Sequence, residues 1–320
     1  MNREKKLLWG FIDRSGNYVI EPRFDDAMNF HEGLAVVRMD YLRGFIDRTG
    51  AFAIEPKFQL AYSFAEGLAR VMIDDKWGFI RPDGSWAIEP AFDKASEFKD
   101  GLAMVKVGDM YGYIDRNGAY AVRPEYDFVG EFHDGLAWAV SNHKYGYLGR
   151  DGSWAINPVF DIANDFSDGL AAVMKEEKYG YIDRSGTYVI EPVYDVAGNF
   201  DGGVARVKKD GEWSYIDRNG ATVPEPAEQP EPEVFNDGLA PRQKDGKFGY
   251  ANSDGDFVIE PQFFRAEPFC EGLARVLTGP KAKWMFINTE GKAAFRSKFS
   301  QAEDFCDGLA RVCIEEYVEV

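Results

Sequence analysis

The feature that most constrains this chain is an internal repeat. Gly-Leu-Ala or a near-equivalent starts at Gly33, Gly67, Gly101, Gly135, Gly169, Gly203, Gly238, Gly272 and Gly308, spaced 34 residues five times, then 35, 34 and 36. An aromatic-Gly pair keeps the same period at Trp9-Gly10, Trp77-Gly78, Tyr111-Gly112, Tyr145-Gly146, Tyr179-Gly180 and Phe248-Gly249. It is degenerate at Arg43-Gly44, Trp213-Ser214 and Trp284-Met285. A third Gly recurs once per copy, from Gly16 to Gly291, and the three columns together hold 25 of the 33 Gly. The glycine excess is therefore repeat punctuation. A fixed period of this length means one small unit stacked many times, which displaces the two domains that 320 residues would otherwise suggest.

One copy, Gly67 to Phe98, is enough to read the unit. Leu68-Ala-Arg-Val-Met-Ile is a strand, and Asp74-Asp75-Lys76 turns it into a second, Trp77-Gly-Phe-Ile. Arg81-Pro-Asp-Gly84, Asp-Arg-x-Gly in most copies, fits a short hairpin loop whose Gly takes a positive φ. A third strand, Ser85-Trp-Ala-Ile-Glu, is expected to end at Pro90, which has no N–H to donate. The arch from Phe92 to Phe98 returns to the next copy, plugging the gap between units with its two Phe and offering room for a fourth, very short strand. No segment carries a sustained helical period, so the chain reads as all-β.

The repeated strings Trp-Gly-Phe-Ile-Asp-Arg-x-Gly, Ile-Glu-Pro-x-Phe-Asp and Phe-x-Glu-Gly-Leu-Ala resemble the WG (KWG) repeat family, found mostly in bacteria. The resemblance covers essentially the whole chain in nine copies. It implies a β-repeat scaffold for binding and supplies no catalytic residue. Independently of it, the chain opens on a second strand, Leu7 to Ile12, without its hairpin partner and ends on a surplus first strand, Leu309 to Ile314. Pairing these two would remove both exposed edges. The expected fold is an all-β, propeller-like closed ring of nine three- to four-stranded units, one domain over residues 1–320. An open superhelical β-solenoid is the alternative, because propellers usually have four to eight blades.

Charge narrows the partners. With 37 Lys and Arg against 54 Asp and Glu, the formal charge is 37 − 54 = −17, which repels a nucleic acid before local contacts form. No apolar run approaches the length of a membrane span. The three Cys, Cys270, Cys306 and Cys313, show no framework spacing and read as free thiols. These observations point to a cytoplasmic protein with neither metal nor cofactor and with no nucleic-acid or membrane partner. Export behind a leader outside this sequence is the alternative.

In a repeat protein, function sits where copies differ. The position after Gly-Leu-Ala reads Val36, Arg70, Met104, Trp138, Ala172, Arg206, Pro241, Arg275 and Arg311. Such variety suggests a surface position repeated once per unit, with Trp138 as an anchor beside an anion-binding stripe of Arg70, Arg206, Arg275 and Arg311. The plain structural alternative is solvated Arg paired with Glu66, Glu271 and Asp307. The seventh copy replaces Ile-Glu-Pro-x-Phe-Asp by an acidic, proline-rich loop from Pro224 to Glu233, in which Glu228 and Glu231 are candidate partner contacts. Simple drift of a degenerate copy would also produce it.

Catalytic motifs are absent: the sequence has no Gly-x-Ser-x-Gly elbow, His-Glu-x-x-His, phosphate-binding loop or Cys-x-x-Cys. The sequence therefore predicts a non-enzymatic scaffold for protein–protein interaction. A carbohydrate or small-ligand module stacking sugars on Trp86, Trp138 or Trp154 ranks second. A hydrolase ranks third, since 54 acids create chance carboxylate pairs.

Overall fold

The strands form because their residues alternate between β-branched or aromatic and polar, and the turns between them hold residues that accept a positive φ. In the computed structural model, which describes residues 3–226 and 234–319, Gly118 (φ 82°) closes the Asp115–Gly118 loop by donating its N–H to the Asp115 carbonyl at 2.9 Å. Asp115 fixes the same loop by accepting from the N–H groups of Asn117 and Ala119. The described residues contain no helix. They form nine small antiparallel sheets, seven of four strands and two of three.

One sheet shows the plan. Its order is Lys94–Ala95, Leu102–Val107, Met110–Asp115, Tyr120–Tyr126. The short fourth strand thus exists, but it pairs with the Gly-Leu-Ala strand that follows it (Ala95↔Val105), so each arch hands its strand to the next sheet. The third strand also departs from expectation, since it runs through Pro124 instead of stopping there. It is an edge strand, and its register against Met110–Asp115 shifts between Tyr111↔Tyr126 and Tyr113↔Val122. This bulge accommodates a residue without an N–H.

The bulge explains the aromatic-Gly motif. A Cβ on Gly112 would lie 2.4 Å from the Val122 carbonyl oxygen and 2.7 Å from the Pro124 nitrogen, and one on Gly180 would lie 2.5 and 2.7 Å from the matching atoms of Ile190 and Pro192. Only glycine lets the second strand pass beneath the bulged Ile-x-Pro backbone. The residue after that Gly then packs on an arch Phe, as in Tyr113–Phe132 (ring centroids 4.8 Å), Tyr147–Phe166 (4.7 Å) and Tyr181–Phe200 (4.7 Å).

The chain divides into two compact units, Met1–Asp74 with Ile80–Ser85 and Pro230–Val320, and Asp75–Phe79 with Trp86–Gln229. In the first, Arg3–Ile12 pairs antiparallel with Leu309–Glu319 from Arg3↔Glu319 to Ile12↔Ala310, so Gly10 faces Val312. Tyr18–Phe24 and Gln301–Cys306 complete that sheet. The terminal strands therefore share one sheet, as their phase in the sequence requires. Its core joins Trp9, Phe11, Phe24 and Phe30 to Leu309 and Cys313. In the second unit the core lies between successive sheets, with Tyr147, Ile156 and Phe160 packed against Val173 and Ile182. No polar or charged residue among those described is buried.

The recurring acids and arginines are turn fittings. In Glu-Gly and Asp-Gly turns the acid itself takes a positive φ (Asp168, 52°), and its carboxylate accepts from the Gly N–H of the following copy. The bond is 2.9 Å from Gly203 to Asp168, 3.0 Å from Gly67 to Glu32, 2.7 Å from Gly272 to Asp237 and 3.0 Å from Gly308 to Glu271. Arg184 and Arg218 donate to the backbone carbonyls of Asp134 and Asp168. Arg14 and Arg48 do the same to Glu271 and Asp307.

Candidate functional site

The variable column is not an exposed stripe. Val36 and Ala172 are 2% and 1% exposed, and the Arg275 and Arg311 side chains only 15% and 19%. Apart from the exposed Arg206 its residues are buried or half-buried, and Val36, Arg70, Met104, Trp138, Ala172, Arg206 and Arg275 each oppose the residue eight positions earlier. The N–H of Tyr62, Gly130, Gly198 and Glu267 donates to the carbonyl of Arg70, Trp138, Arg206 and Arg275 at 2.9–3.1 Å. Side-chain variety in the column is therefore matched by variety in its facing partner.

The four arginines fall into different settings. Arg70 stacks 3.9 Å from the Tyr62 ring centroid. Arg275 pairs with Asp304 at 2.7 Å and Glu303 at 3.3 Å, donates to the Ala302 carbonyl at 2.5 Å and lies over Trp284. Arg311 pairs with Glu303 at 3.3 Å, donates to the Ala27 carbonyl and lies 4.5 Å over Trp9. Arg275 and Arg311 thus tie strands together, through acids other than the Glu66, Glu271 and Asp307 expected from sequence. Arg206 is exposed and caps the Trp213 ring at 4.4 Å. Of the seven Trp, Trp213 is the exposed one, at 48%. Glu228 and Glu231 lie outside the described residues.

Trp138 stands apart. It is half-buried, carried on Leu136–Ser141 opposite Tyr147, and it packs against Tyr145 (5.6 Å between ring centroids). Its indole fills the space over Gly130, where a Cβ would sit 2.3 Å from Nε1. Trp138 forms a wall of a cavity of about 330 Å³ in the second unit. Phe132, Met104, Val129 and Leu102 supply the rest of its apolar lining, and Glu97, Asp100, Glu131 and Asp165 supply carboxylates. The cavity is within the size range of ligand pockets, apolar with a few convergent polar groups.

The polar groups are unevenly satisfied. Lys99 pairs with Glu131 at 2.9 Å, and this hydrogen bond holds the Glu131 carboxyl below its usual range. Tyr113 donates its hydroxyl to the Gly130 carbonyl, and burial pushes its ionisation up. Asp165 Oδ2 lies 3.8 Å from His133 Nε2, whereas Asp165 Oδ1 is shut off from solvent with no hydrogen-bond partner. Trp154 is packed edge-on against Tyr126 (5.4 Å), at the margin of a core cluster, and Trp86 is half-buried.

Sequence reasoning picked out Trp138 but missed its surroundings. Glu97, Glu131 and Asp165 occupy one column at 34-residue spacing, and Gly130 lies eight residues before Trp138. Both signals were legible once the facing register was known. Among the described residues no group of three or more His, Cys, Asp or Glu is placed to hold a metal. Cys270, Cys306 and Cys313 are free, with Cys270 donating to the Phe305 carbonyl at 2.8 Å. Among the described residues no helix is long and apolar enough to cross a membrane.

The fold and cavity define an all-β repeat protein of small antiparallel sheets with a pocket at Trp138. The chain belongs to the family of WG-containing repeats, whose model matches residues 9–42, 44–77, 77–111, 111–145, 145–179, 179–213, 248–279 and 284–317. That is eight matched repeats of the nine expected; the seventh copy falls in the unmatched stretch after residue 213, where the third strand is cut to Thr222–Val223. No curated protein matches the chain. Among solved structures it is similar to a eukaryotic initiation factor (TM-score 0.44, 10% identity, 98% of each chain covered). It is also similar to Kluyveromyces lactis Hsv2p (TM-score 0.34, 9% identity, 82% of this chain and 96% of that one). A third likeness is to a catalytically inactive virginiamycin B lyase from Staphylococcus aureus with quinupristin (TM-score 0.30, 14% identity, 79% and 97%). At TM-scores under 0.5 these likenesses carry no weight for function.

Proposed function

We propose that this protein is a non-enzymatic binding scaffold that engages a protein partner through the Trp138 cavity. The observation that carries the reading is the coupling of Trp138 to Gly130: a large indole is lodged against a glycine and forms the wall of a cavity with an unpartnered acceptor, Asp165 Oδ1. Aromatic side chains in such positions dominate interface energetics. Hydrolysis ranks third, because the sequence carries no catalytic motif and the Glu131 carboxylate is engaged by Lys99 at 2.9 Å. A sugar stacked on Trp138 is the second reading, and it uses the same wall.

The test is capture of partners from the host by the intact chain, by Trp138→Ala and by Arg275→Ala. Loss of a partner with Trp138→Ala supports the reading, and Arg275→Ala reports whether the internal ion pairs contribute. Retention of every partner by Trp138→Ala defeats it. The proposal extends to closure of the nine sheets into a propeller-like ring, supported by the pairing of Arg3–Ile12 with Leu309–Glu319. Small-angle scattering that fits an extended solenoid would exclude closure.

A further inference from the structure

We propose that the occupant of the Trp138 cavity is the cationic side chain, lysine or arginine, of a basic segment in the partner; this rests on the scaffold reading above. The lining combines two surfaces that such a side chain needs. Trp138, Phe132, Met104 and Val129 offer an apolar wall for an aliphatic stem, and long cationic side chains bury their stems while keeping the charged head among polar groups. The cavity's carboxylates, from Glu97, Asp100, Glu131 and Asp165, outnumber its one lining ammonium, Lys99.

That ammonium is already engaged by Glu131 at 2.9 Å. Two other nitrogen-bearing side chains stand near. His133 lies 3.8 Å from Asp165 Oδ2, and Arg150 sits over the Phe132 ring at 5.4 Å while donating to the Asp100 carbonyl. Neither reaches Asp165 Oδ1, which is withdrawn from solvent without a donor. The Asp165 side chain as a whole stays 38% exposed, so its carboxylate remains open to a donor, and an ammonium or guanidinium brings only donors. Such a head also interacts favourably with the face of an indole. An anionic ligand meets four carboxylates, and a neutral one leaves the excess of negative charge unanswered.

The experiment follows the methyl group of Met104, a cavity wall, by ¹³C-methyl NMR of the full-length chain. The probes are n-butylammonium, n-propylguanidinium, the isosteric neutral 1-butanol, and methyl glucoside. A saturable shift of Met104 with either cation, weakened about tenfold by Trp138→Ala and also weakened by Asp165→Asn, is the expected result. The other methionine methyls show whether each variant remains folded, and Asp165→Asn serves if Trp138→Ala does not. Butanol or methyl glucoside matching the cations at Met104 overturns the cationic assignment and leaves the scaffold reading standing. Cation binding at Met104 combined with retention of every captured partner by Trp138→Ala overturns both the docking of a partner side chain here and the scaffold reading at this cavity.

Discussion

Replacing Gly130 by alanine perturbs the candidate site with a single methyl group. Gly130 is not among the glycines with positive φ, so alanine fits its backbone. The added Cβ would lie 2.3 Å from Trp138 Nε1, 2.4 Å from Cε2 and 2.7 Å from Cδ1. Ordinary contacts are about 3.5–4.0 Å, so the indole has to retreat by roughly 1 Å. Overpacking of this kind costs about 1–3 kcal/mol, toward the lower end here because all three atoms belong to a side chain that can move. At roughly 2–4 °C per kcal/mol for a domain of 150–250 residues, the midpoint of thermal unfolding should fall by about 2–8 °C. The fold should survive, the Trp138 indole N–H resonance should move, and partner capture should weaken, as is expected of Trp138→Ala. An unchanged indole resonance together with unchanged capture would refute the claim that Gly130 positions the cavity wall.

Three further outcomes follow from the same geometry. Gly180→Ala should destabilise more than Gly130→Ala, by about 3 kcal/mol, because its Cβ meets backbone atoms of Ile190 and Pro192 that cannot swing aside; Gly279→Ala, with nothing within 4 Å, should be neutral in the same denaturation assay. Asp183 is held below its usual carboxylate range by the Ser185 hydroxyl and by backbone N–H groups. A depressed folded pKa contributes stability above the unfolded value, near 4, and loses it as pH falls through the folded value. Asn252 and Asn288 already fill the same turn position with the same backbone bonds. Asp183→Asn should therefore leave unfolding at pH 7 nearly unchanged and reduce its dependence on pH below the unfolded carboxyl value near 4. Finally, burial pushes the Cys313 thiol up, so in the folded chain it should react with a disulfide reagent far more slowly than after denaturation; equal rates would contradict its burial.

How much was legible beforehand varied with the kind of interaction. The turn glycines, the hairpins and the pairing of the terminal strands depend on residues close in sequence or on strand phase, and both are written in the 34-residue period. Trp138 stood out because its column varies. The burial of most of that column did not, since a position alternating with Ala and Val in a strand reads alike on either face until the opposing sheet is known. Expecting the third strand to stop at its Pro failed for a related reason: on an edge strand the missing N–H need not face a partner, and a bulge absorbs it.

The sequence alone determined the all-β unit, its length, its turn chemistry and the membership of the chain in a repeat family, because each is set by local backbone preference repeated copy after copy. Tertiary structure decided which variable residues meet. It set Trp138 over Gly130, gathered Glu97, Glu131 and Asp165 from three copies beside one cavity, and turned Arg275 and Arg311 into internal struts. Those outcomes depend on the facing register of strands and on how successive sheets stack, and that arrangement is fixed by packing between residues far apart in the chain.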